Sequence, residues 1–297
     1  MKMETKPSSE HLRERILDLP GGVRVRTIDE GAGPIVLLLH GNPDNADEWS
    51  GLIALLKHQF RCLAPDLPGY GRRGQSYALP GTYSYSLEDQ VAFVDALLAH
   101  AKIQEKITLV VHDIGGIMGV PWAARNTHRL RAVIYTNTVA YPGFKWFNPA
   151  YRWGRDGWAG RRLARVSVAA LGWFHGLLFR SVFSKQHPLL SSFEIDRFVE
   201  DFALNAVAKA TTLCEFRNIT RSDFFDGYDQ MVKTIAASVP TMAIWGEGDP
   251  YVPDRFAKEL CARETLVLPK VGHWVPILAV DVLAQHIRSL HGLPEQG

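Results

Sequence analysis

Ile107-Thr-Leu-Val-Val-His-Asp-Ile-Gly-Gly116 is the stretch from which the fold of this chain can be read. The run Ile107 to Val111 is apolar and rich in β-branched residues, as expected of a strand buried on both faces of a parallel sheet. It stops at His112-Asp113-Ile114, and Gly115-Gly116 opens a helix-like segment, Ile117 to Arg125. A strand turning directly into a helix, with one reactive residue at the apex and small residues beside it, is a nucleophile elbow. Asp113 stands at the apex, beside the first free N–H groups of the helix, which favour its ionised form. The same residue type also N-caps ordinary helices. Asp113 alone therefore supports either role, and the surrounding chain has to decide.

Working outward, Ile35 to Leu39 reads as a second central strand, ending in His40-Gly41-Asn42-Pro43. Before it, Val23 to Asp29 alternates and suggests an antiparallel edge strand, and residues 1–12 read as a frayed arm. After it come a helix pattern from Trp49 to Lys57 and a strand from Arg61 to Ala64. Pro65 to Gly71 is a turn-rich loop. Ser86-Leu-Glu-Asp-Gln is a capping-box-like start to a helix reaching about His100. A strand at Ala132 to Thr136 follows the elbow helix. Strand and helix alternate again at Thr241–Gly246, Pro253–Cys261, Thr265–Leu268 and Val275–Leu290. This rhythm predicts an α/β fold with a mostly parallel, doubly wound sheet.

The rhythm breaks between about Ala140 and Ser222, where Trp, Phe, Tyr, Arg and Gly are frequent and no strand-like alternation occurs. The expected organisation is an α/β core of residues 1–139 and 223–297, with residues 140–222 inserted as a helical cap. An insertion after the C-terminal end of a strand lies where such sheets bind ligands. Within it, Leu163 to Phe183 is strongly apolar, but Arg165, His175 and Arg180 interrupt it. It is short for a membrane span, so helices lining a pocket are expected.

Two further groups fall at predicted strand ends on the edge that carries the elbow. Gly246-Glu-Gly-Asp249-Pro250 offers an acid and Val271-Gly-His273-Trp274 a base. The chain order is nucleophile, acid, histidine: Asp113, Asp249, His273. In His40-Gly41-Asn42-Pro43 the backbone N–H of Asn42 can join that of Ile114 as an oxyanion hole. Asp249 could also be a turn residue and His273 a loop histidine, yet four pieces in order at strand ends favour catalysis. His112 should point away from the apex side chain, and His40 should shape its loop rather than react.

Composition sets outer bounds. The chain has 297 residues, 46% hydrophobic and 22% charged, with 33 Lys plus Arg against 31 Asp plus Glu. That balance gives no electrostatic footprint for nucleic acid. Cys62, Cys214 and Cys261 show neither metal-ligand spacing nor a disulfide framework. They suit a reducing compartment, and with no signal-peptide pattern at the N-terminus the expected location is the cytoplasm. A small apolar molecule is the expected substrate. No metal, no cofactor and no membrane span are expected, and a monomer or small homo-oligomer fits.

Taken together, these residues resemble the aspartate-nucleophile branch of the α/β-hydrolase family, which holds haloalkane dehalogenases and epoxide hydrolases. The similarity covers about residues 22–139 and 235–292. The His40-Gly-Asn42-Pro43 loop resembles the dehalogenase form, in which the Asn amide helps hold the departing halide. An acid at Asp249, with Asn137 after the preceding core strand, is similar to some dehalogenase subfamilies and to epoxide hydrolases. The resemblance implies an aspartyl-ester intermediate formed on Asp113 and hydrolysed by His273. Carbon–halogen hydrolysis is the first reading; epoxide opening with a tyrosine such as Tyr141 or Tyr151, or opening of a β-lactone, are alternatives. A non-catalytic, receptor-like relative would have no need of all three residues. Two departures matter. Dehalogenases usually carry Trp after the nucleophile, and here Ile114 stands there. Cys214-Glu-Phe216-Arg217 stands where epoxide hydrolases have a tyrosine-bearing motif, with Phe in place of Tyr.

Overall fold

The computed structural model describes residues 12–72, 74–78, 82–141, 144, 153–154 and 157–293. The arm at 1–11 and the residues Trp146 and Tyr151 lie outside them. Nine strands form one sheet in the order β1-β2-β4-β3-β6-β7-β8-β9, with β5 paired to β2. They are β1 Glu14–Leu19, β2 Val23–Gly31, β3 Ile35–Leu39, β4 Arg61–Pro65, β5 Tyr77–Ala78, β6 Ile107–Asp113, β7 Leu130–Thr138, β8 Thr241–Gly246 and β9 Glu264–Leu268. From β4 to β9 every pairing is parallel, whereas β1, β4 and β5 pair antiparallel with β2. All five residues of β3 and all seven of β6 are buried. Their continuous apolar runs are what a strand covered by helices on both faces requires.

Helices cover the two faces. They are α1 Ser50–Leu56, α2 Leu87–His100, α3 Ile114–Arg125, α4 Trp158–Ala169, α5 Leu177–Gln186, α6 Ser192–Phe198, α7 Ala206–Ile219, α8 Tyr228–Ser238, α9 Val275–Leu278 and α10 Val280–Leu290. The Ser86 hydroxyl accepts the Asp89 N–H and caps α2, as its sequence suggests. One apolar cluster holds α2, α3 and α8 against one face of the sheet, and a second packs α1 and α10 against the other. Each cluster takes alternate residues of the same strands: Leu37 and Leu39 face the first, Val36 and Leu38 the second.

Four details differ from the sequence reading. The strand at Val23 is antiparallel but not at the edge, because β1 lies outside it. Only Leu17 and Leu19 of β1 point inward, too little alternation to betray a strand. The turn before α1, Ala46–Trp49, is 3-10 and is capped by Asn45. Asp254–Leu260 is likewise 3-10 rather than α. The last helix is interrupted at Ala279, whose non-helical backbone (φ −134°, ψ 39°) separates α9 from α10. Between β7 and β8 every described regular element is helical.

Candidate active site

β6 delivers Asp113 at its last residue, and α3 begins at the next. Asp113 has φ 44° and ψ −119°, a conformation that costs a non-glycine residue about 1–3 kcal/mol. The Thr138 hydroxyl, donating to the Asp113 carbonyl oxygen, helps hold it. The sharp turn brings α3 against β3: a Cβ on Gly115 would sit 2.3 Å from the Leu39 carbonyl oxygen. Only glycine fits there.

The Asn42 backbone N–H donates to Asp113 Oδ2 at 2.9 Å, and the Ile114 N–H also reaches this carboxylate. The loop that carries Asn42 is shaped by His40. Its Nδ1–H donates to the Gly41 carbonyl at 2.8 Å, while Nε2 accepts the Leu67 N–H at 2.8 Å. That second bond requires the neutral ring, and burial lowers its basicity accordingly. His40 therefore builds the loop, as the sequence suggests.

His273 and Asp249 meet at the adjacent strand ends. His273 Nδ1 lies 2.7 Å from Asp249 Oδ2, and both side chains are buried. Burial would raise the Asp249 carboxyl. His273 beside it, the N–H of Val252 and the Asn137 amide outweigh that and hold it below the ordinary carboxylate range. Asn137 Nδ2 donates to Asp249 Oδ2 at 2.7 Å, and its Oδ1 accepts the Gly246 N–H at 2.9 Å. Asn137, after the preceding core strand, thus braces Asp249 against the end of β8.

Burial raises the Asp113 carboxyl, against the downward pull of His273, His112 and the two N–H donors. The sequence marks His112 only as a side chain turned from the apex and gives it no partner. Its ring is fully buried, with Nδ1 2.6 Å from Glu48 Oε1 and Nε2 donating to the His273 carbonyl oxygen at 3.1 Å. Burial would lower the imidazole, but the Glu48 carboxylate and the hydrogen bond to it raise it to about 9. Glu48 Oε2 also accepts the Gly41 N–H at 3.0 Å. One buried ion pair thus ties the Asn42 loop to the His273 loop, immediately behind Asp113.

A second network lies behind Asn42. Its side-chain Nδ2 donates to the Tyr70 hydroxyl at 3.0 Å and to Thr212 Oγ1 at 3.2 Å. Tyr70 in turn donates to Glu215 Oε2 at 2.6 Å. Burial, with a further contribution from Asp113, raises Glu215 to about 7. Tyr70 lies in the turn-rich loop and Glu215 in Cys214-Glu-Phe216-Arg217, but nothing in the sequence pairs the two.

Asp113, Asn42 and His273 open onto a cavity of ≈ 350 Å³ whose other walls are mostly apolar, including Phe144, Trp153, Phe183, Phe202 and Phe216. Phe216 brings a ring without a hydroxyl to that wall, while Tyr251 lines the same cavity. Tyr141 does not line the cavity; its ring stacks on Phe256 at 4.9 Å. The Trp153 indole N–H is given to Ser167 Oγ at 3.1 Å. Among the described residues no group of three or more His, Cys, Asp or Glu side chains forms a metal site.

A family profile described as the alpha/beta hydrolase fold matches residues 34–280. The chain is 28% identical over 280 residues to a cis-3-alkyl-4-alkyloxetan-2-one decarboxylase of Shewanella oneidensis, covering 90% of this chain and 85% of that one. It is 37% identical over 131 residues to the enzyme of the same name from Xanthomonas campestris, 42% of this chain and 44% of that one. A haloalkane dehalogenase of Agrobacterium fabrum is 35% identical over 123 residues, 41% of this chain and 38% of that one. For these last two, the chain spans less than half the length of the relative it matches. A solved structure of an epoxide hydrolase from hot-environment metagenomes superposes with a TM-score of 0.73 at 23% identity, covering 95% and 99% of the two chains.

Proposed function

We propose, for a chain that belongs to the α/β hydrolase fold family, that it is a hydrolase working through an ester on Asp113, with small apolar electrophiles as substrates. The observation that carries this is a carboxylate at the elbow apex, under two N–H donors, facing an apolar cavity beside a histidine held by an acid. The Asp113 carboxylate attacks an electrophilic carbon, and the bond from that carbon to its leaving group breaks. His273 then takes a proton from water as the water adds to the Asp113 carbonyl carbon. The negative charge on the Asp113 oxygen is met by the N–H groups of Asn42 and Ile114. Collapse of that intermediate, with the imidazolium proton passing to the departing oxygen, releases the product alcohol and returns the carboxylate. Asp249 stabilises the transient imidazolium. Helices α4 to α7 act as a cap that closes the cavity, with residues 140–222 as its span. The three cysteines are free, which accords with a reducing compartment such as the cytoplasm.

Two leaving groups suit this chemistry. Carbon–halogen hydrolysis is supported by the His40-Gly-Asn42-Pro43 loop and by the dehalogenase relative. A specific observation favours the second, a strained β-lactone ring. A departing halide needs donors aimed at it, yet Asn42 Nδ2 gives both hydrogens to Tyr70 and Thr212 and Trp153 gives its own to Ser167. Ile114 has none to give. In a four-membered lactone, ring strain supplies driving force that such donors would otherwise supply, and the departing group is a tethered carboxylate. The relative matched along most of this chain carries an oxetanone substrate in its name.

A panel of brominated alkanes, epoxides and alkyl β-lactones, scored for halide, diol, β-hydroxy acid and alkene, separates these. Lactone opening with no halide release establishes the second reading, and halide release establishes the first. The lactone product is a β-hydroxy acid where water cleaves the Asp113 ester. It is an alkene where the tethered carboxylate leaves as CO2 while the carbon–oxygen bond to Asp113 breaks and returns its carboxylate. With whichever substrate is turned over, His273→Ala should accumulate a substrate-sized mass on the peptide bearing Asp113. Absence of any adduct on that peptide overturns the covalent route.

A further inference from the structure

The residues from Gly157 to Phe193 include Arg161, Arg162, Arg165, Arg180 and Lys185 and not one Asp or Glu, in a chain whose net charge is only +2. The same segment holds the largest exposed apolar side chains of the described residues. Trp158 and Phe174 are each 77% exposed, and Leu163, Val166, Trp173 and Leu177 are about half or more. On α4, Ala164 and Val168 face inward. Trp158, Arg162, Leu163, Arg165 and Val166 face outward. The Arg162 guanidinium lies 5.6 Å from the Trp158 ring centre and so shares a surface with it. Arg180 turns to Asp196; Arg162, Arg165 and Lys185 face solvent.

Apolar side chains interleaved with cations, on a helix whose other face is packed, are the pattern of a segment lying in a lipid interface. The face also communicates with the active site. Leu178 and Val182, one turn apart on α5, are exposed and line the catalytic cavity as well. Among the described residues no single helix is long and apolar enough to span a bilayer; α4 with the turn after it, and α5, meet at 85°. That shape suits lying on a surface.

We propose that α4, α5 and the turn between them dock on an anionic lipid surface, from which apolar substrate enters past Leu178 and Val182. Uniform positive charge selects this occupant over a second copy of the chain, because a two-fold contact would oppose like charges. It also predicts a preference for anionic over zwitterionic lipid.

Flotation with phosphatidylglycerol-containing vesicles and with pure phosphatidylcholine vesicles tests the assignment. The protein should float with the first, far less with the second, and be released by salt. Arg162→Gln with Arg165→Gln should lower the partition coefficient roughly thirty-fold, about five-fold per charge. Trp158→Ser with Phe174→Ser, which touch neither cavity nor core, should lower it at least ten-fold with an unchanged thermal midpoint. Failure to bind either vesicle overturns the proposal, as does equal binding to both. So does a stable dimer in sedimentation that the Trp158→Ser, Phe174→Ser pair makes monomeric, with no vesicle binding; the face would then join copies of the chain. Capture of an acidic protein in place of vesicles would overturn it equally.

Discussion

A second buried carboxyl group, within electrostatic reach of Asp113, is the least expected residue in this site. Glu215 receives the Tyr70 hydroxyl, but burial and the nearby Asp113 raise it from 4.5 to about 7. In the unfolded chain it ionises near its ordinary value. Between those two values the folded protein binds the extra proton, so stability falls as pH rises through that window. The full difference is on the order of 3 kcal/mol. Glu215→Gln keeps an acceptor for Tyr70 and removes the titration. Urea unfolding at pH 5 and at pH 8 should therefore show the variant losing far less stability than the parent. An identical loss in both would mean that Glu215 is ionised throughout. The neighbouring side chain, Phe216, lines the cavity, so the same helix supplies a buried acid and an apolar wall in consecutive residues.

At the scale of elements, the site is assembled by loops at the carboxyl edge of the sheet, and one ion pair joins two of them. Glu48 lies between β3 and α1 and His112 in β6, while the His112 ring reaches the backbone of the loop after β9. His112 is raised to about 9. Its stabilising contribution is present in full below the unfolded value of 6.5 and is lost as pH rises through about 9. Glu48 is lowered, burial notwithstanding, by His112 and His40; its contribution is present above the unfolded value and lost as pH falls. Glu48→Gln leaves a buried imidazolium without its counter-charge and should cost about 3–5 kcal/mol. Thermal unfolding across pH 6 to 10 checks this: the parent should lose stability between about pH 6.5 and 9 and level off above that, and the variant should show no such limb. The helix-and-strand rhythm is legible in the sequence because buried parallel strands are unbroken apolar runs, as in Ile35–Leu39 and Thr241–Gly246. Asp113 and Asp249 are legible because each closes or follows such a run, and His273 because it follows the last strand-like segment, although that strand, β9, has no buried residue. β1 is not, with two inward side chains, nor is the break at Ala279. The Glu48–His112 pair is invisible for a different reason. Neither residue has a local signature, and only the alignment of β3 beside β6 brings them together.

For the whole molecule, buried polar ties hold the helices between β7 and β8 to the sheet. Arg197 pairs with Asp44, Asn45 donates to Asp201 at 2.9 Å, and Asn205 donates to the Gly71 carbonyl at 3.0 Å. All three reach loops at the carboxyl edge, so the roof of the cavity and its floor share supports. The order of the strands carries a further consequence, in time rather than in space. Asp113 and its donors belong to the part of the chain made first, whereas Asp249 and His273 follow β8 and β9, which add to the sheet last along β7. In the proposed mechanism, a chain emerging from the ribosome therefore owns its attacking group long before it owns the means to shed what that group captures. Separation of the two halves should be reversible, because the β7 edge remains a template for β8. Residues 1–222 and 223–297, produced apart, should each be inert in turnover and should recover it on mixing, followed by product release over time. A 1–222 fragment that completes turnover unaided would remove His273 from the second half of the reaction.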